Sequence, residues 1–172
     1  MSLEYAWTIP AIRELMTGAD HVDSHHIEGN VPFRRQLAQA MNWMPGWVRF
    51  LYLVRKVLAR LMGLEHDDVL SNPRFHEDCF PMTPGEAAGF FQVVDASEES
   101  HWIAMGEDKH LAGYICMAVE HLEDGRKRYH CTTIVNYRHW IGSVYFNLIR
   151  PFHHLIVRGM LKASVGSGAV AE

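Results

Sequence analysis

At 172 residues and 19.7 kDa, the chain has the size of one domain and can bury roughly 70% of its unfolded surface without staples. A net charge of −4 and a pI near 6.3 exclude the basic balance of a nucleic-acid binder. Cys79, Cys116 and Cys131 form no C-x-x-C pair, which excludes a disulfide framework or a zinc knuckle and leaves reduced thiols as the expectation.

The opening residues carry Glu4 and no basic lead into an apolar run, so they do not resemble a secretory signal and a cytoplasmic location is expected. Ile9, Ile12, Leu15 and Met16 recur at helical spacing before Gly18, which predicts a short helix over 9–16. Loose alternation around Val22 and Ile27, closed by Gly29-Asn30, predicts a strand over 19–28 suited to a sheet edge. Pro32 opens a helix with Phe33, Leu37 and Met41 that runs to about Asn42. Pro45 opens a second, whose stripe of Trp47, Phe50, Leu51, Val54, Leu58, Leu61 and Met62 ends at Gly63. Residues 65–89 hold Pro73, Pro81, Pro84 and Gly85 among many acids, the composition of an irregular connection.

Four extended runs follow, over 90–96, 100–105, 110–122 and 127–137, with turn residues at 106–108 and 123–125. They predict an antiparallel meander. In the third run Leu111, Gly113, Ile115, Met117 and Val119 share one face, expected toward a helix, while Tyr114, Cys116 and Glu120 share the other, expected wet. In the fourth, Tyr129, Cys131, Thr133, Val135 and Tyr137 form the less polar side.

Residues 140–164 read as one long helix with a 3.6-residue period in Ile141, Val144, Tyr145, Leu148, Phe152, Leu155, Ile156, Gly159 and Met160. Arg150, His154, Arg158 and Lys162 fall on the opposite, wet edge. Twenty-five residues span about 37 Å, close to the roughly 40 Å width of a domain of this length, so the helix needs a cover across the whole domain. Interior Pro151 predicts a kink near 147–151. Arg150, His153, His154 and Arg158 make this segment a poor membrane span. Residues 1–165 are expected to form the domain and 166–172 a frayed tail.

Charge is segregated along the chain. Residues 31–62 hold six bases and no acid, and residues 65–108 hold eleven acids against Arg74, so the two flanks are expected to attract each other.

The segment Gly142-Ser-Val-Tyr145 followed by Arg150-Pro151-Phe152-His153-His154-Leu155-Ile156-Val157, with Gly106-Glu-Asp-Lys-His-Leu111 and Ala19-Asp-His-Val-Asp-Ser24 upstream, resembles the family called domain of unknown function 2867. The resemblance spans nearly the whole chain and maps the family's recurrent positions to Asp20, Asp23, Gly142, Tyr145, Pro151, Phe152 and His153. It implies an α+β fold of the START-like (SRPBCC) superfamily: a helix-grip domain in which a curved antiparallel sheet wraps a long C-terminal helix, two shorter helices close one end, and an apolar ligand often occupies the space between. No catalytic role comes with it.

On this reading the chain binds an apolar or amphipathic small molecule, such as a lipid, polyketide or terpenoid, and Tyr145, Ile149, Phe152, His153, Ile115 and Met117 are the candidate ligand-binding residues. No G-x-S-x-G, P-loop, G-x-G-x-x-G or H-E-x-x-H pattern occurs, so binding is favoured over catalysis. The alternative is an enzyme of cyclase, dehydratase or hydrolase type, with His153 as general base and Tyr145 as hydrogen-bond donor to an enolate or carbonyl oxygen. A third reading, attachment to anionic lipid through Arg49, Lys56 and Arg60 beside Trp47, Phe50 and Leu51, is less favoured than a solvated helix that closes the domain. His21, Asp23 and His25 would share one strand face and suit zinc or iron. Spacing by two spreads their Cβ atoms nearly 7 Å per step, so a polar face is expected there, with no metal or cofactor. His76-Glu77-Asp78-Cys79 lies in the irregular connection, with no helix to fix its spacing. The sequence sets no oligomeric state.

Overall fold

The computed structural model describes residues 2–61, 74–107 and 110–166. Two short helices, α1 (Ser2–Thr8) and α2 (Pro10–Met16), come first, separated where Pro10 starts a new helix after extended Ile9. Strand β1 (His21–Gly29) leads to α3 (Phe33–Asn42) and α4 (Gly46–Leu61). After a 3-10 turn at Glu77–Cys79 come β2 (Ala87–Ala88), β3 (Phe91–Ser97), β4 (His101–Glu107), β5 (Leu111–His121), β6 (Lys127–Tyr137) and α5 (Trp140–Val165). The stripe positions 58, 61 and 62 and part of the acidic connection fall outside the described side chains, as does the expected tail beyond Gly166.

The strands form one antiparallel sheet in the order β1-β6-β5-β4-β3-β2. The meander is the expected one, and β1 takes the expected edge by pairing with the last strand, Asp23 opposite Thr133 and Ile27 opposite Tyr129. The side of β5 bearing Ile115, Met117 and Val119 faces α5, together with Tyr129 and Cys131 of β6 and Trp102 of β4. There they meet Leu37 of α3 and Val157, Met160, Leu161 and Val165 of α5. This is a helix-grip arrangement: a sheet closed over a C-terminal helix that crosses the domain.

The other sheet face is not wet. Cys116 and Ala118 of β5, Ile103 of β4 and Ile134 of β6 are buried beneath Ala6, Ile9, Ile12 and Met16. The expectation failed because α1 and α2 fold back over the sheet, so both alternating sets of side chains are covered. Tyr5 holds this layer down by donating to the Val119 carbonyl oxygen (2.8 Å) and stacking on His130. Burial pushes the Cys116 thiol up to about 12 and also raises that of Cys131, so both stay protonated, as expected of reduced core thiols.

Polar contacts fix the connections. The Tyr129 hydroxyl, deep in the sheet, accepts from the Val31 amide (3.1 Å) and donates to the Val31 carbonyl, which pins the β1–α3 link. Gln36 of α3 donates to the Ser164 hydroxyl of α5 (3.0 Å) inside the core. Trp102 donates from Nε1 to the Pro81 carbonyl (2.9 Å), holding the connection against β4. The basic and acidic flanks do meet: Arg34 is paired with Glu98 and Arg35 with Glu77.

The helix α5 runs unbroken through Pro151. Its stripe is turned inward in part. Gly142, Tyr145, Phe146, Val157, Met160, Leu161 and Ser164 are buried, and Leu148 and Phe152, about half exposed, border the space between α5, α4 and the sheet, whereas Val144 and Leu155 lie outside; Val157 is 2% exposed and Leu155 57%. On the flank toward β1 the neighbouring side chains are polar. His154, assigned to the wet edge by periodicity, turns to that strand and reaches His25.

Candidate functional site

Between the concave sheet and α5 lies a cavity of about 350 Å³, at the lower end of the range usual for small-molecule sites. Its floor is Gly113 and Ile115 of β5 with Thr133 and Val135 of β6; its wall is Tyr145, Ile149, Phe152, His153 and Ile156 of α5. Trp43 and Met44, after α3, and Val48, Leu51 and Tyr52 of α4 close the remaining side. The space exists partly because Gly113 and Gly106 stand opposite each other on β5 and β4 and place no side chain on the floor. A Cβ on Gly113 would meet nothing nearer than the Gly106 carbonyl oxygen at 3.8 Å.

Five of the six candidate residues, Tyr145, Ile149, Phe152, His153 and Ile115, line this cavity together. Met117 does not. Two positions along β5 from Ile115, it is buried in the core cluster that includes its register partner Trp102, Phe80 and Leu161. The two helices close one end as the sequence implies, but no residue of α3 or α4 is among the six candidates, although the stripe containing Leu51 and Val54 carried the signal. Phe50, Leu53 and Val57 of α4 point outward instead.

Few polar groups reach this apolar interior. His153 Nε2 lies 2.9 Å from Thr133 Oγ1. Desolvation dominates its titration and pushes the imidazole down to about 4; the Asp23 carboxylate opposes this, and His154, His25 and His21 reinforce it. His153 is therefore neutral at neutral pH, a hydrogen-bonding group and a weak base. Tyr145 is buried and packs with Leu111, Ile141 and Ile149. On the far side of His153, toward β1, stand His21, Asp23 and His25 with His154, donor types able to hold a transition metal. The cluster 76–79 is used differently: Glu77 is engaged by Arg35, and Cys79 is exposed.

A curved sheet gripping a long terminal helix defines a helix-grip protein. The chain belongs to the family described as protein of unknown function (DUF2867), which matches residues 15–160. No curated protein matches it. Among solved structures, it is similar to a hypothetical protein from Helicobacter pylori (13% identity, 87% of this chain and 91% of that one, TM-score 0.42). It is also similar to a putative uncharacterized protein from Rhizobium leguminosarum (14%, 84% and 95%, 0.41) and to Ara h 8.0201 (10%, 82% and 94%, 0.37). Likeness at this level adds nothing to the fold described above. Among the described residues no helix is long and apolar enough to cross a membrane.

Proposed function

We propose that the protein binds one apolar or amphipathic small molecule in the cavity between its sheet and α5. The observation that carries this reading is the cavity itself: about 350 Å³ of space between sheet and helix, lined almost wholly by aliphatic and aromatic side chains. Filling such a space with water gains few hydrogen bonds, whereas filling it with hydrocarbon gains about 25 cal/mol per Å² of apolar surface removed from water. His153 and Thr133 at one wall offer hydrogen-bonding groups to a hydroxyl or carbonyl on the ligand. A lipid, polyketide or terpenoid fits that combination.

The test is organic-solvent extraction of the purified protein after incubation with oleate, followed by mass spectrometry. One equivalent of an apolar species should be released by the natural chain and far less by Gly113→Leu, whose side chain would occupy the floor of the cavity. Equal release from both proteins, or none from either, would overturn the proposal.

A further inference from the structure

The strand β1 presents His21, Asp23 and His25 on the face toward α5, and α5 returns His154 to it. Spacing along the strand alone could not gather three ligands. The helix supplies the third. Asp23, His25 and His154 each offer one ligand atom, and these atoms lie within 4.8 Å of one another. His25 Nε2 and His154 Nδ1 are 3.1 Å apart; Asp23 Oδ1 is 3.9 Å from His25 Nε2, and Oδ2 is 3.9 Å from His154 Nδ1. Three ligands each about 2.1 Å from one ion stand roughly 3.0 to 3.4 Å apart, for octahedral to tetrahedral angles. With a single carboxylate oxygen the three atoms span up to 4.8 Å, so the side chains must close by about an ångström to reach that geometry.

Two further observations point the same way. Asp23 Oδ1 is buried with no hydrogen-bond partner, an arrangement that costs free energy unless a cation or donor satisfies it. Its other oxygen, Oδ2, accepts from His21 Nε2 at 3.1 Å, the kind of outer contact that orients a ligating carboxylate.

We infer that Asp23, His25 and His154 form a binding site for one divalent transition-metal ion of the zinc or iron(II) class, with His21 orienting the carboxylate. Two imidazoles and one carboxylate leave further coordination positions for water or a small ligand. The site stands beside the cavity wall, since Thr133, the register partner of Asp23, and His153, the neighbour of His154, both line the cavity. It does not depend on what the cavity holds.

The test is calorimetric titration of zinc chloride into the full chain, prepared without a polyhistidine tag and stripped with chelator. One equivalent should bind, and cobalt(II) should give visible absorption bands in its place. His25→Ala and His154→Gln should each weaken zinc binding more than the roughly 10- to 100-fold expected for loss of the outer partner in His21→Ala. His121→Ala, at an exposed strand end, should leave the affinity unchanged, and thermal melts without metal should show each variant folded. Absence of saturable one-equivalent binding, or the same affinity in folded His25→Ala and His154→Gln, would overturn the site.

Discussion

His130 shows how one residue is shaped by the layers around it. Its imidazole is buried on the sheet face covered by α1, stacked on Tyr5 with ring centroids 4.7 Å apart, and its Nε2 lies 2.9 Å from Glu120 Oε2. Burial pushes its pKa below the ordinary histidine value; Glu120 pulls it back, and His26 and Arg128 add to the depression. Because the folded value lies below the unfolded one, protonation favours the unfolded chain. The stability this neutral imidazole contributes is therefore complete above about pH 6.5 and is lost as pH falls toward the folded pKa. Denaturant unfolding at stepped pH between 7.5 and 5 should show stability falling with acid. His130→Gln, which keeps a hydrogen-bonding side chain, should show a shallower fall, by up to about 1.4 kcal/mol per pH unit. Parallel curves for the two proteins would show that His130 is not held neutral by burial.

At the scale of elements, the seating of α5 decides the shape of the interior. Its first turn abuts the loop before β5: a Cβ added to Gly142 would stand 2.5 Å from the His110 backbone oxygen, which cannot move aside as a flexible side chain could. Gly142→Ala should cost about 1 to 3 kcal/mol in chemical denaturation, even though alanine is the better helix former. An unchanged or raised midpoint would mean that the helix start is free to shift. The elements that carried strong periodicity were legible in the sequence: β3 to β6 and the span of α5 follow alternation and the 3.6-residue repeat almost to the residue. The seven-residue α1 and two-residue β2 were not, because segments so short complete too few periods to register. The inward turn of His154 was hidden for a different reason. A hydrophobic stripe points toward apolar neighbours, but one neighbour is the polar edge of β1, so His154 turns inward while Leu155 stays outside. The same blindness hid the Asp23, His25 and His154 grouping, whose third member lies 129 residues from His25. The cavity's α5 and β5 residues were legible from shared faces, whereas Met117 showed that a face does not say where along a strand the packing closes.

For the whole molecule, the two charged flanks join at exposed pairs such as Arg35 with Glu77, which contribute little to stability by themselves. What organises the chain is apolar covering on both sides of one sheet. Exposed Phe50, Leu53 and Val57 on α4 offer a competing apolar surface outside the cavity. The decisive measurement is a fluorescence titration of cis-parinaric acid, an apolar fatty acid that reports its own burial. Saturable one-to-one binding is expected that weakens at least about tenfold in Gly113→Leu, a loss of about 1.4 kcal/mol, and is retained in Phe50→Ser. Binding that survives in Gly113→Leu but disappears in Phe50→Ser, or no saturable binding at all, would contradict a ligand site in the cavity.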